Sequence, residues 1–281
     1  MTLETAPKRL NVMDYSTKPE LLRVVKAERQ GFYDLVDEVG ESGWEGKTAS
    51  GEWQVRDLVG HMIDVTESYL ERFALAREGK PFPEAVGLKP MAAKLDEGAR
   101  RFRGLSRQEA IARLKRASDS MFDIFERLDE RQWTGEMVPH VYMGPLPTCF
   151  YPTFQLIDYS VHGWDIRAGL TDNPAPLSEE AAETLVPIMM IVLQATLDTG
   201  VCQGLNCTAG IKLTGKYGGS YRVKIADKAL SYEEGPVDDA QVVFTFDPND
   251  FVLTAYQRRR GGSVAGDQQL AERFRSIFFR I

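Results

Sequence analysis

The chain has 281 residues, 43% hydrophobic and 27% charged. That is the make-up of a folded globular protein too long for one small core, so two domains are expected. Its 41 acidic against 34 basic side chains leave a net charge of -7, which would repel a phosphate backbone and argues against a nucleic-acid partner. No stretch approaches the eighteen or so consecutive apolar residues of a membrane span, and the N-terminus lacks an apolar signal segment. No membrane association is therefore expected, and the expected location is cytoplasmic.

Residues 1 to about 18 read as a tail. A first helix is predicted from Pro19 to Val39, with Leu21, Val25, Phe32, Leu35, Val36 and Val39 as its apolar stripe and Gly40 as its stop. After a turn-rich loop, a second helix is predicted from about Gln54 towards Arg77, and in it Leu58, Val65 and Tyr69 share a face with His61, which therefore points inward. Two prolines, Pro81 and Pro83, break the chain. A less regular segment follows, helical over Met91 to Phe102. Ser106 and Glu109 form a capping box, behind which Ile111, Leu114, Met121, Phe122, Phe125 and Leu128 keep helical period to about Asp129. The stretch from Trp133 to Pro152, with Gly144, Pro145, Pro147 and Pro152, reads as a loop suited to the wall or lid of a pocket.

A fourth long helix follows and carries Asp158, His162 and Asp165. These elements predict a four-helix bundle over residues 1–172. The run from Thr171 to Pro176 reads as a linker, and Ser178 caps an apolar helix through Leu193. Beyond Gly200 the apolar period shortens to two in the runs at 209–214, 221–225 and 241–246, with Gly218-Gly219 as a hairpin signal. Helices are expected to open near Asp247 and again near Asp267. Residues 173–281 thus read as a small α+β domain with a mainly antiparallel sheet, giving a mixed two-domain fold. Cys149, Cys202 and Cys207 are too few and too irregularly spaced for a disulfide framework or a zinc ribbon.

On the fourth helix Asp158 and His162 stand at i and i+4, so carboxylate and imidazole lie on one face. Such a pair is often no more than a hydrogen bond, and a histidine there is often a satisfied core residue. Met by His61 from the second helix, however, the pair would make three ligands for a divalent metal with positions left open for chemistry. His140, in the segment leading into that helix, is a candidate to orient substrate or move a proton. Arg258, Arg259 and Arg260 form the densest basic cluster, for which a solvated turn is the plainer reading.

The stretch Trp53-Gln-Val-Arg-Asp-Leu-Val-Gly-His61, about a hundred residues before Asp158-x-x-x-His162-x-x-Asp165, resembles the DinB-like superfamily, in its mycothiol-dependent maleylpyruvate isomerase branch. The later half, with Gly215-Lys-Tyr-Gly-Gly-Ser-Tyr-Arg-Val and Ser263-Val-Ala-Gly-Asp-Gln-Gln-Leu, resembles the sterol-carrier-like domain that follows the bundle there. The resemblance implies a divalent metal, usually zinc, on His61, Asp158 and His162, with Asp where the isomerases typically carry Glu. It implies mycothiol or a similar low-molecular-weight thiol as cosubstrate, a small electrophile as partner, and cis-trans isomerisation of a maleylpyruvate-like acid or S-transfer as the reaction. A carboxylate-binding arginine of the second domain would fall among Arg258, Arg259 and Arg260, and Asp165 would support His162 from behind. Two other readings keep the fold: metal-assisted hydrolysis or lysis without a thiol, and a non-catalytic protein holding an apolar ligand.

Overall fold

The computed structural model describes residues 9–281, except for the side chains of Ala92 and Ala93. Its chain divides into two compact units, Asn11–Leu177 and Ser178–Ile281, the latter joined by residues 9 and 10. The first eight residues of the expected tail lie outside the described residues. The rest of that tail is docked: the buried Val12 offers its carbonyl to the Trp133 indole N–H at 2.8 Å, and Asp14 caps a short 3-10 turn, Tyr15–Thr17.

The first unit contains α1 (Lys18–Gly43), α2 (Val55–Arg77), α3 (Met91–Arg100), α4 (Arg107–Arg127), α5 (Glu130–Gly135), a ribbon of β1 (Met137–His140) and β2 (Gly144–Pro147), and α6 (Phe150–Leu170). The long helices make a bundle in which α1 packs on α6 and α2 on α4, with α3 against α2. Gly40 does not end α1, but it breaks its helical path with φ +65°, a left-handed conformation that costs glycine least. The capping box of α4 forms as expected, Glu109 accepting from the Ser106 N–H at 2.9 Å. At the other end of α4, the buried Lys18 donates to the Glu126 and Leu128 carbonyls, the groups a helix C-terminus leaves unsatisfied. Beside His61, a Cβ on Gly60 would stand 2.2 Å from the Ala99 carbonyl oxygen, so only glycine lets α3 close on α2 there.

Asp57, fully buried at the start of α2, joins capping to packing. Its carboxylate accepts the Gln54 N–H and two hydrogen bonds of 2.7 Å from Arg103. Burial pushes its pKa up, but the Arg103 guanidinium and the backbone N–H outweigh this and hold the carboxyl below the usual range. A depressed carboxylate stabilises the fold above its unfolded pKa, and that stability is lost as pH falls through its folded value. Asp57→Ala should cost on the order of 2 kcal/mol in urea unfolding at pH 7, with the difference from wild type shrinking below about pH 4. A pH-independent difference would show that the ion pair contributes nothing.

The segment from Trp133 to Pro152 is not a loop. It holds α5 and a ribbon in which Pro139 faces Pro145 and Met137 faces Pro147. A two-stranded ribbon has two free edges, so a proline can sit where no partner needs its missing N–H. Likewise α6 begins at Phe150 with Pro152 in its first turn, where backbone N–H groups have no helical acceptor. On α6 side chains on nearly every face are covered from Tyr151 to Ile166.

The second unit holds α7 (Glu179–Ala195), β3 (Cys207–Leu213), β4 (Ser220–Ala226), β5 (Ala229–Glu234), β6 (Val242–Phe246), α8 (Pro248–Ala255), β7 (Ser263–Gly266) and α9 (Gln268–Arg275). The sheet runs β5-β4-β3-β6-β7, antiparallel except for the β3–β6 pair. Ser178, Asp247 and Asp267 cap α7, α8 and α9. All three cysteines are buried free thiols. Among the described residues no helix is long and apolar enough to cross a membrane.

Candidate metal centre

Helix α6 sets Asp158 and His162 one turn apart, and α2 brings His61 against them. One ligand atom from each of the three lies within 4.8 Å of the others. His61 Nε2 stands 3.8 Å from Asp158 Oδ1, too far for a hydrogen bond and close to the separation of two donors around one ion with bonds of about 2.0–2.2 Å. The two imidazole rings meet edge to face, with centroids 4.9 Å apart.

One of the two imidazoles has its tautomer fixed by a neighbour. His162 Nδ1 lies 2.9 Å from Oδ2 of Asp165, whose carboxylate is fully buried. A carboxylate only accepts, so Nδ1 holds the proton and Nε2 keeps its lone pair for a cation. Burial lowers the His162 pKa, as does His61 nearby, against the opposing pull of Asp165, so the ring is neutral and ligand-competent at pH 7. The buried Nδ1 of His61 has no hydrogen-bond partner, and its Nε2 is aimed at Asp158 from beyond bonding range. Two imidazoles and a carboxylate, one ring with neither nitrogen properly satisfied, are a donor set that suits a divalent ion.

Trp53, on the turn before α2, covers both rings at centroid distances of 5.1 Å from His61 and 6.2 Å from His162. Its indole N–H is held by Asp96 of α3 at 2.9 Å. Sequence reasoning gave Trp53 no role; its position eight residues before His61, ahead of the helix cap, was the available signal.

His140 is buried at the end of β1 and not on a mobile lid. Its Nδ1 accepts the backbone N–H groups of Tyr142 and Met143, each at 3.3 Å. The proton therefore sits on Nε2, which faces the Tyr69 hydroxyl at 3.5 Å. Burial pushes its pKa down to about 4, Asp158 opposing and Arg72 assisting. His140 is thus a neutral, fixed N–H donor near neutrality, which favours orienting a substrate over shuttling protons.

Arg258, Arg259 and Arg260 belong to the other unit. There they line a cavity of about 420 Å³ floored by Phe244, Phe246, Phe251 and Phe274. Arg259 pairs with Asp250 at 3.3 Å and Arg260 with Glu272 at 2.9 Å, while Arg258 donates to the Tyr256 carbonyl. Phe82 is exposed and Trp133 belongs to the core.

The sequence pattern of the family described as the mycothiol maleylpyruvate isomerase N-terminal domain matches residues 25–167, 143 of the 281 residues. Among solved structures, that of the mycothiol-dependent maleylpyruvate isomerase superposes with a TM-score of 0.58 at 13% identity, over 88% of this chain and 92% of that one. A histidine-to-alanine mutant of the isomerase gives 0.58 at 12% identity with the same coverage. At such identities the likeness is one of fold, here spanning both units. No curated protein matches the chain.

Proposed function

Because this chain belongs to the mycothiol maleylpyruvate isomerase N-terminal domain family, we propose that it is a metal-dependent enzyme that uses a low-molecular-weight thiol of the mycothiol type on a small electrophile. The observation that carries the reading is the convergence of His61, Asp158 and His162, with Asp165 fixing the tautomer of His162. These three residues would hold the ion, with residues 1–172 as the metal-binding domain and 173–281 as the sterol-carrier-like one. Zinc suits two imidazoles and one carboxylate. When bound there, a divalent ion supplies one thing: it lowers the pKa of a neighbouring thiol so that a thiolate exists at neutral pH.

The chain's own residues supply the rest. Trp53 packs over the two imidazoles and Asp165 orients one of them. The His140 ring meets Phe154, one turn of α6 before Asp158, at 5.3 Å, and its N–H faces the Tyr69 hydroxyl. The favoured reaction is isomerisation of a maleylpyruvate-like unsaturated acid. The thiolate sulfur adds to one alkene carbon, and the electron pair moves into the conjugated carbonyl as an enolate. Rotation occurs about the new single bond. Return of the pair expels the thiolate and leaves the trans alkene. S-transfer would use the same nucleophile with a leaving group on the electrophile. The test is thiol-dependent turnover by the zinc-loaded protein across a panel of unsaturated acids and alkyl electrophiles, together with mycothiol binding by calorimetry. Turnover that requires the thiol is the expected result. Neither mycothiol affinity nor thiol-dependent turnover would end the proposal and leave metal-activated water as the chemistry to pursue.

A further inference from the structure

One face of α2 continues past the metal centre. Eleven residues separate His61 from Arg72, about 20° more than three whole turns, so both side chains share that face with Tyr69 between them, one turn from Arg72. Helical side chains lean towards the helix N-terminus, which brings the long Arg72 side chain back towards Tyr69 and His61. Across from this face stands His140, its Nε2 3.5 Å from the Tyr69 hydroxyl, a distance at the outer limit of a hydrogen bond. The Arg72 guanidinium is near enough for its charge to act on both His140 and Tyr151. Its Nε is buried and has no hydrogen-bond partner, and among the described residues it forms no ion pair. A half-buried cation without a counter-charge is costly unless something negative comes to it. Beside it is a histidine N–H whose direction two backbone N–H groups fix from behind.

We propose that Arg72, with the Nε2–H of His140 and the hydroxyl of Tyr69, forms an anion-binding pocket that holds the carboxylate of the electrophile. Arg72 supplies the charge and the other two supply direction. The ligand class rests on the thiol chemistry proposed above, in which the electrophile is an unsaturated acid. The pocket would bind the acid end of the substrate on α2 and leave its alkene towards His61, Asp158 and His162. It would also select against neutral electrophiles of the same shape, since these would leave the guanidinium desolvated and unpaired.

The probe is maleate, titrated by calorimetry into the zinc-loaded full-length protein without thiol. Wild type should bind it. Arg72→Met, which keeps the apolar stem and removes the charge, should weaken binding at least tenfold while zinc content and melting temperature stay at wild-type values. Arg72→Lys, which keeps a charge without the fork, should recover most of the loss. Maleate affinity within twofold of wild type in Arg72→Met would overturn the proposal, as would absence of maleate binding to wild type. Loss of zinc from Arg72→Met would overturn it too, by making Arg72 a support of the metal centre. The two readings fail separately: Arg72-dependent maleate binding in a protein with no thiol-dependent turnover keeps the pocket and removes the thiol.

Discussion

Replacing His162 with alanine is expected to abolish zinc binding and turnover while the bundle stays folded. The ring supplies one of only three proposed protein ligands, and two remaining ligands cannot hold a divalent ion tightly against solvent. The core of the bundle is built from other side chains, Leu156, Ile157, Val161 and Trp164 on α6 and Leu58, Met62, Ile63 and Phe73 on α2, all buried. The fold should nevertheless lose some stability. Asp165 would lose the hydrogen bond it makes with His162 in a fully buried position, a cost of about 1–3 kcal/mol. Elemental analysis should give less than about a tenth of the wild-type zinc, and urea unfolding in the presence of chelator should show one cooperative transition at a lower midpoint. An unfolded His162→Ala protein, from a wild type that also carries no zinc, would make His162 a core residue and nothing more.

The second large effect is expected one layer out. Asp165 touches no proposed ion, yet it decides which nitrogen of His162 carries the proton. Asp165→Ala would remove the acceptor that holds the proton on Nδ1 and let the ring shift to the tautomer whose Nε2 carries the proton and cannot ligate, so zinc affinity should fall by about 10–100-fold. Asp165→Asn keeps an oxygen that accepts from Nδ1 and should lose less than about tenfold, mainly through reduced basicity of the imidazole. Competition with a chromophoric chelator measures both. Equal affinity for wild type and Asp165→Ala would mean that packing, and not Asp165, sets the tautomer.

Much of the bundle was legible because its helices are long, amphipathic and capped. The Ser106–Glu109 box fixes the start of α4, and the i, i+4 spacing of Asp158 and His162 is a property of any helix. That His61 would meet them followed from its inward face, since Leu58 and Tyr69 are buried beside it. The ribbon of β1 and β2 was hidden by its prolines, which signal a loop unless the strands have free edges. His140 went unplaced for the same reason: two backbone N–H groups of a ribbon turn fix it, and sequence spacing does not encode them. In the second unit β3, β4 and β6 alternate clearly, whereas the edge strand β5 buries only Leu230 and β7 buries none of its four residues. An edge strand with so little to bury carries almost no periodic signal. The turn joining β4 to β5 uses Asp227 and Lys228 at positive φ in place of the usual Asn-Gly, which removed the other clue. Trp53 was visible as a residue but not as a cover for two imidazoles, since that contact depends on a turn held by Asp96 of a different helix.

X-ray absorption at the zinc edge of the purified, full-length protein tests most directly whether one ion sits among these three side chains. The expected spectrum fits two imidazole nitrogens and one carboxylate oxygen at about 2.0–2.2 Å, plus solvent, with about one zinc per chain. Adding mycothiol should then bring in a single sulfur at about 2.3 Å. A shell of several sulfurs before any thiol is added would move the ion to the cysteines, and an imidazole count unchanged in His61→Ala would place it elsewhere; either result contradicts the proposed centre.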